Sequence, residues 1–143
     1  MMSDDVFNWF EYVDNNSALM GMFGGRPPSL KNVRLAQLVI GEMAEVKLSL
    51  NLPLRIGSLP NSWEAKGFDS IQLRFACYDV EKMSLEGKMQ ESGLELDAVF
   101  DENCVFVIAN ADFRIELHYG YIRVEVYPYN SRVFEEPKNW FHQ

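Results

Sequence analysis

The chain is short of the residues that build metal and thiol chemistry. It has only two cysteines and two histidines in 143 residues. Cys77, Cys104, His118 and His142 fall into no CxxC, HxxxH or comparable spacing, so no zinc site is legible. Both cysteines sit inside strand-like apolar alternation and read as free, buried thiols rather than as a disulfide. There is no G-x-S-x-G nucleophile elbow. Gly24-Gly25-Arg26 lacks the lysine of a phosphate loop and reads as a helix stop. No apolar run approaches the roughly 20 residues of a membrane span. The opening MMSDDVF has no charged-then-apolar secretory layout. These absences set the expectation of a cytoplasmic, soluble protein with no cofactor and no membrane partner.

Positive charge is the next shortage. Thirteen Lys and Arg stand against 21 Asp and Glu, a net charge of −8. The deficit is uneven: residues 1–25 carry −4, residues 79–102 carry −6, and the span 26–78 carries +3. An acidic surface repels nucleic acid and anionic lipid, and the sequence shows no local basic patch to overcome that. A basic protein is the partner such a chain attracts. Its oligomeric state is not legible.

What is present is apolar content of 48% with 13% aromatics, enough for one domain of this length to bury a core without disulfides. Ser3 is placed to cap a first helix whose stripe is Val6, Trp9, Phe10 and Val13. A second short helix follows from Ser17 to Phe23, stopped by Gly24-Gly25 and Pro27-Pro28. From Leu30 onward the period is two, which marks half-buried strands. The phase slips near Ala36-Gln37, a bulge signal. Residues 53–69 have no steady period and read as a long loop pinned by Trp63.

The last strands are the most regular. Leu96, Ala98 and Phe100 turn through Asp101-Glu102-Asn103 onto Cys104, Phe106 and Ile108, then through Asn110-Ala111 onto Phe113 and Ile115. The stretch FRIELHYGYIRVEVYPY (113–129) reads as a hairpin about Tyr119-Gly120, with Glu116 opposite Arg123 and Arg114 opposite Glu125. The expected fold is therefore α+β: two short N-terminal helices packed on a mainly antiparallel meander sheet of about eight strands.

In that register the outer face has one row of Asp97, Val107, Arg114 and Glu125 and another of Val99, Val105, Glu116 and Arg123. Three valines among charges suggest an apolar centre in a charged rim. The candidate partner-binding residues are Glu91, Glu95, Asp97, Val99, Asp101, Glu102, Val105 and Val107. No catalytic residue is assigned. Glu116 and Glu125, the best carboxylate pair, face arginines and should stay ionised, and His118 reads as a structural residue of the hairpin tip.

The layout also resembles a known family. Trp9, Phe23-Gly24, Pro28-Ser29-Leu30, then Pro60 and Trp63 ahead of GFDSIQLRF, and the closing YIRVEVYPY are similar to the immunity protein 50 family of bacterial polymorphic toxin systems. The resemblance implies a protein that binds and neutralises a cognate toxin, with no catalytic residues to carry over. Trp9, Pro28 and Trp63 are most simply core and turn residues. The alternative from another class is an acidic secretion chaperone or adaptor. A small-ligand enzyme is third, and would need a deep polar cleft.

Overall fold

The computed structural model describes residues 8–53, 66–88 and 95–129. A 3₁₀ turn (Trp9–Tyr12) and one helix, α1 (Asn16–Phe23), precede eight strands: β1 (Val33–Ile40), β2 (Val46–Pro53), β3 (Ser70–Tyr78), β4 (Lys82–Gly87), β5 (Glu95–Asp101), β6 (Val105–Ala109), β7 (Phe113–His118) and β8 (Tyr121–Tyr129). All described pairings are antiparallel, in the order β4-β7-β6-β5-β1-β2-β3-β8.

The sheet is curled. Three strands separate β6 from β3 in that order, so on a flat sheet they would lie roughly 19 Å apart. The rings of Phe75 (β3) and Phe106 (β6) are instead 5.0 Å apart. Both halves of the sheet therefore face one cluster of buried side chains. The N-terminal turn enters that cluster: Trp9 is 1% exposed, lies 5.6 Å from Phe75 and stacks 6.1 Å from Phe100, and its indole Nε1–H donates to the Pro28 carbonyl at 2.8 Å. Two residues of the family resemblance are thus joined directly, Trp9 as a core anchor and Pro28 in the half-buried irregular segment ahead of β1.

Within the described residues, the first helix of the sequence reading is a 3₁₀ turn at Trp9–Tyr12, capped by Asn8, whose side chain accepts from the Phe10 N–H at 3.2 Å; Ser3 and Val6 lie outside the described residues. Trp9, Phe10 and Val13 are buried nonetheless. The second helix falls where expected and ends at Gly24, whose φ of +62° is the left-handed conformation glycine adopts without strain. The phase slip is also real, a register shift between Leu35 and Gln37.

The closing hairpin does not form. β7 pairs with β6 and β4, while β8 pairs with β3. Two-residue hairpins need positive φ at a central residue, and neither Tyr119 nor Gly120 is among the positive-φ residues. The step instead carries the chain from one half of the curled sheet to the other. The Tyr119 N–H donates to the Cys104 carbonyl at 3.1 Å and the Gly120 N–H to that of Tyr78 at 2.9 Å. A Cβ at Gly120 would lie 2.8 Å from that of Asp79, so the crossing is tight.

With the hairpin go its two charge pairs. Glu125 lies opposite Arg74 and Arg123 opposite Ala76; Arg114 lies between Ala109 and Glu86, and Glu116 between Val107 and Ser84. The β5–β6 and β6–β7 registers are each two residues from the expected ones, with Phe100 opposite Phe106 and Ile108 opposite Ile115. A shift of two keeps every side chain on its face. Cys104 consequently moves into the β5–β6 turn, exposed at φ +62°, whereas Cys77 is buried; both are free.

β8 is an edge strand, and its free side is partly covered. The Asp14 N–H donates to the Ile122 carbonyl at 2.8 Å while Asp14 Oδ2 accepts from the Ile122 N–H at 2.8 Å. Asn15 repeats the arrangement on Val124, with bonds of 2.8 and 3.1 Å. Further along, Pro128 has no N–H to offer. Such devices protect an edge from pairing with other chains.

Candidate functional site

The outer face of β5, β6, β7 and β4 carries the candidate residues of the acidic stretch. Val99 lies directly opposite Val107, and Val105 is the next outward residue of β6. The three valines are brought together as expected, with Val99 55% exposed and the other two half-buried. Around them are Glu95, Asp97, Asp101 and Glu102, all exposed; Glu91 lies outside the described residues.

The carboxylates are not equivalent. Asp97 Oδ1 accepts from the Asn32 N–H at 2.9 Å, which holds Asn32 at φ +56°. Asp101 Oδ1 accepts from the Asn103 N–H at 2.8 Å across the turn. Both have structural work to do. Glu95 lies opposite Arg34 at the junction of the two halves, and Glu102 projects from the turn.

Next along the face, Glu116 is gripped from both sides. Arg114 Nη2 lies 2.8 Å from Oε1 and His118 Nε2 2.7 Å from Oε2. The Arg114 hydrogen bond, then that of His118, holds the Glu116 carboxyl below its ordinary range. Glu116 is therefore an acceptor at neutral pH. It stays ionised as expected, although its partners differ from those expected.

The opposite face was not foreseen. On the outer side of β2, β3 and β8, one row runs Lys47, Ala76, Arg123 and the next runs Ser49, Arg74, Glu125. They line a depression of about 440 Å³ together with Gln37, Val39 and Tyr78. The expectation of no local basic patch is thus overturned. Arg74 and Arg123 are 49 positions apart, and their proximity follows from a β3–β8 pairing that the sequence reading did not assign. The one available signal was the +3 charge of residues 26–78, the source of Lys47 and Arg74.

Among the described residues, no group of three or more His, Cys, Asp or Glu is placed to hold a metal ion, and no helix is long and apolar enough to cross a membrane. Burial pushes the Cys77 thiol up to about 12, which keeps it protonated and unreactive.

Fold and surface together define a curled-sheet α+β domain presenting two faces of opposite charge. The family model of immunity protein 50 matches residues 15–129. The chain belongs to the immunity protein 50 family. Neither a curated protein nor a solved structure matches the chain.

Proposed function

We propose that this protein binds a cognate bacterial toxin and neutralises it by occlusion, with no catalytic step of its own, and that the toxin docks on the outer face of β5 and β6. Family membership supports the toxin as partner. The observation that carries the docking face is the Val99–Val107 pair with Val105 beside it, an apolar centre ringed by Glu95, Asp97, Asp101 and Glu102. Binding surfaces with a desolvated centre and a polar rim have this anatomy. The acidic rim suits a basic toxin surface, where it speeds encounter more than it slows release.

The test is association with the product of the adjacent upstream gene, followed by rate measurements at several salt concentrations. Glu95 and Glu102 are the residues to reverse, because neither holds a backbone N–H as Asp97 and Asp101 do. The Glu95→Lys, Glu102→Lys variant should keep its melting temperature and its dissociation rate while its association rate at low salt falls about tenfold. A folded variant that associates as fast as the wild type at low salt excludes this face.

A further inference from the structure

The depression on the opposite face gathers three cations, Lys47, Arg74 and Arg123, with Glu125 beside them. Lys47 and Arg123 stand two strand spacings apart, about 10 Å, across the small side chain of Ala76. Arg74 stands one outward position along β3. Its guanidinium is held in place from two sides: Cζ lies 3.9 Å above the Tyr127 ring, and Nε donates to Gln72 Oε1 at 2.7 Å. The terminal nitrogens keep their donors for a ligand. Arg123 is exposed and has no ion-pair or hydrogen-bond partner among the described residues. Among the described residues, the Lys47 ammonium has only the Glu45 carboxylate, at 3.9 Å.

The same half carries much of the exposed apolar surface. Val39, Met43, Tyr121 and Tyr127 are 43%, 93%, 45% and 39% exposed. Met43 sits at the tip of the β1–β2 turn, where it and Ala44 are both held at φ +60°. The tip is fixed by the Gly41 N–H donating to the Glu45 carbonyl at 2.8 Å and by the Val80 N–H donating to that of Ala44 at 3.0 Å. Bulky residues adopt this backbone only when the surroundings impose it. Arg, Tyr and Met are the residue types enriched where proteins recognise proteins.

We propose that the outer face of β2, β3 and β8 is a second docking surface, which takes an extended acidic segment of a protein partner with its carboxylates on Arg74, Arg123 and Lys47. Side chains on one face of an extended segment recur about every 7 Å, the scale on which these three cations are spread. Glu125 lies beside Arg74 and repels a compact polyanion, whereas separate carboxylates each reach a cation and avoid it. A nucleic-acid backbone fits poorly: a protein that grips it uses about six to ten phosphate contacts, and this face offers three cations on a molecule of net charge −8. The inference stands apart from the acidic-face reading, because the two surfaces share no residue.

The experiment is an amide NMR titration of the full chain with a capped hexaglutamate peptide, with inorganic pyrophosphate and a 16-base-pair DNA duplex as parallel arms. Saturable shifts are expected at Ser49, Ala76 and Arg123, and they should vanish in 0.5 M salt. Arg123→Glu, which removes no contact of the fold, should weaken the peptide at least tenfold, and Arg74→Glu should do the same. Glu95→Lys, Glu102→Lys should leave peptide binding intact while slowing the toxin, so failure of either surface shows separately. The proposal is overturned if the peptide produces no shifts, if the shifts map elsewhere, if folded Arg123→Glu binds within twofold of wild type, or if pyrophosphate or DNA binds more tightly than the peptide.

Discussion

On the outer face of β5 and β6 the central side chains are Val99 and Val107 and the surround is carboxylate; on the outer face of β2, β3 and β8 the centre is Ser49 and Ala76 and the surround is Lys47, Arg74 and Arg123. An apolar centre draws affinity from removing surface from water, about 25 cal/mol per Å², and leaves its rim charges to govern encounter. A centre of small side chains under three cations draws affinity from paired charges, so salt weakens it throughout. The inner sides of the two halves show no such contrast. Phe75, Phe100 and Phe106 come from both halves and meet in one aromatic cluster. The two faces are chemically independent and mechanically joined.

The largest contrast between the halves is the reactivity of their thiols. Cys77 lies beneath the cationic face, and with its pKa near 12 only about one thiol in ten thousand is ionised at pH 8; Cys104 is exposed in the β5–β6 turn. A disulfide-exchange reagent should titrate one thiol in the native protein and two in denaturant, and Cys104→Ser should abolish the native signal. Rapid native reaction of Cys77 would mean that the two halves open independently.

A core lesion should abolish the contrast. Trp9 touches Phe75 on one side and Phe100 on the other, and truncating a buried tryptophan costs about 3 to 5 kcal/mol. Trp9→Ala should lower the urea midpoint accordingly and lose both proposed binding activities together. Loss of one alone would show that the halves do not share stability.

An edge lesion should affect one half first. Asp14→Ala with Asn15→Ala removes side-chain bonds to Ile122 and Val124. With three such bonds at about 0.5 to 1.5 kcal/mol each, the loss should total about 1.5 to 4.5 kcal/mol. The uncovered β8 edge should also promote self-association, seen as a concentration-dependent elution volume. An unchanged monomer of unchanged stability would show that this cover is dispensable.

The smallest effect sharpens the acidic side. Glu116 titrates below its ordinary range because Arg114 and His118 hold its charged form. Its stabilising contribution is therefore present above the ordinary glutamate pKa and is lost as pH falls through the lowered value. Carboxyl-carbon NMR should place the Glu116 midpoint below those of exposed glutamates, and Arg114→Ala should raise it. A midpoint that ignores Arg114 would assign the shift to another cause.

Much of the candidate site was legible because alternation survives register error. The β5–β6 and β6–β7 pairings each differ by two residues from the expected ones, yet Val99, Val105 and Val107 still share a face. The cationic groove was not legible, since Arg74 and Arg123 meet only through β3 and β8. Trp63 and Glu91 lie outside the described residues.

The sequence by itself determined which strand side chains face inward, Cys104 apart, where α1 ends, where β1 slips, and that acidic and basic charge concentrate in different spans. Those are local properties, set by a period of two, by a glycine able to take positive φ, and by composition. Which strand lies beside which was decided only in the tertiary structure. Tyr119-Gly120 serves equally on paper as a hairpin tip or a crossing, and the choice rests on non-local bonds to Cys104 and Tyr78 and on the shared aromatic core. By sending β8 to β3, that choice gathered three cations from three strands onto one face and left the valines and their carboxylates on the other.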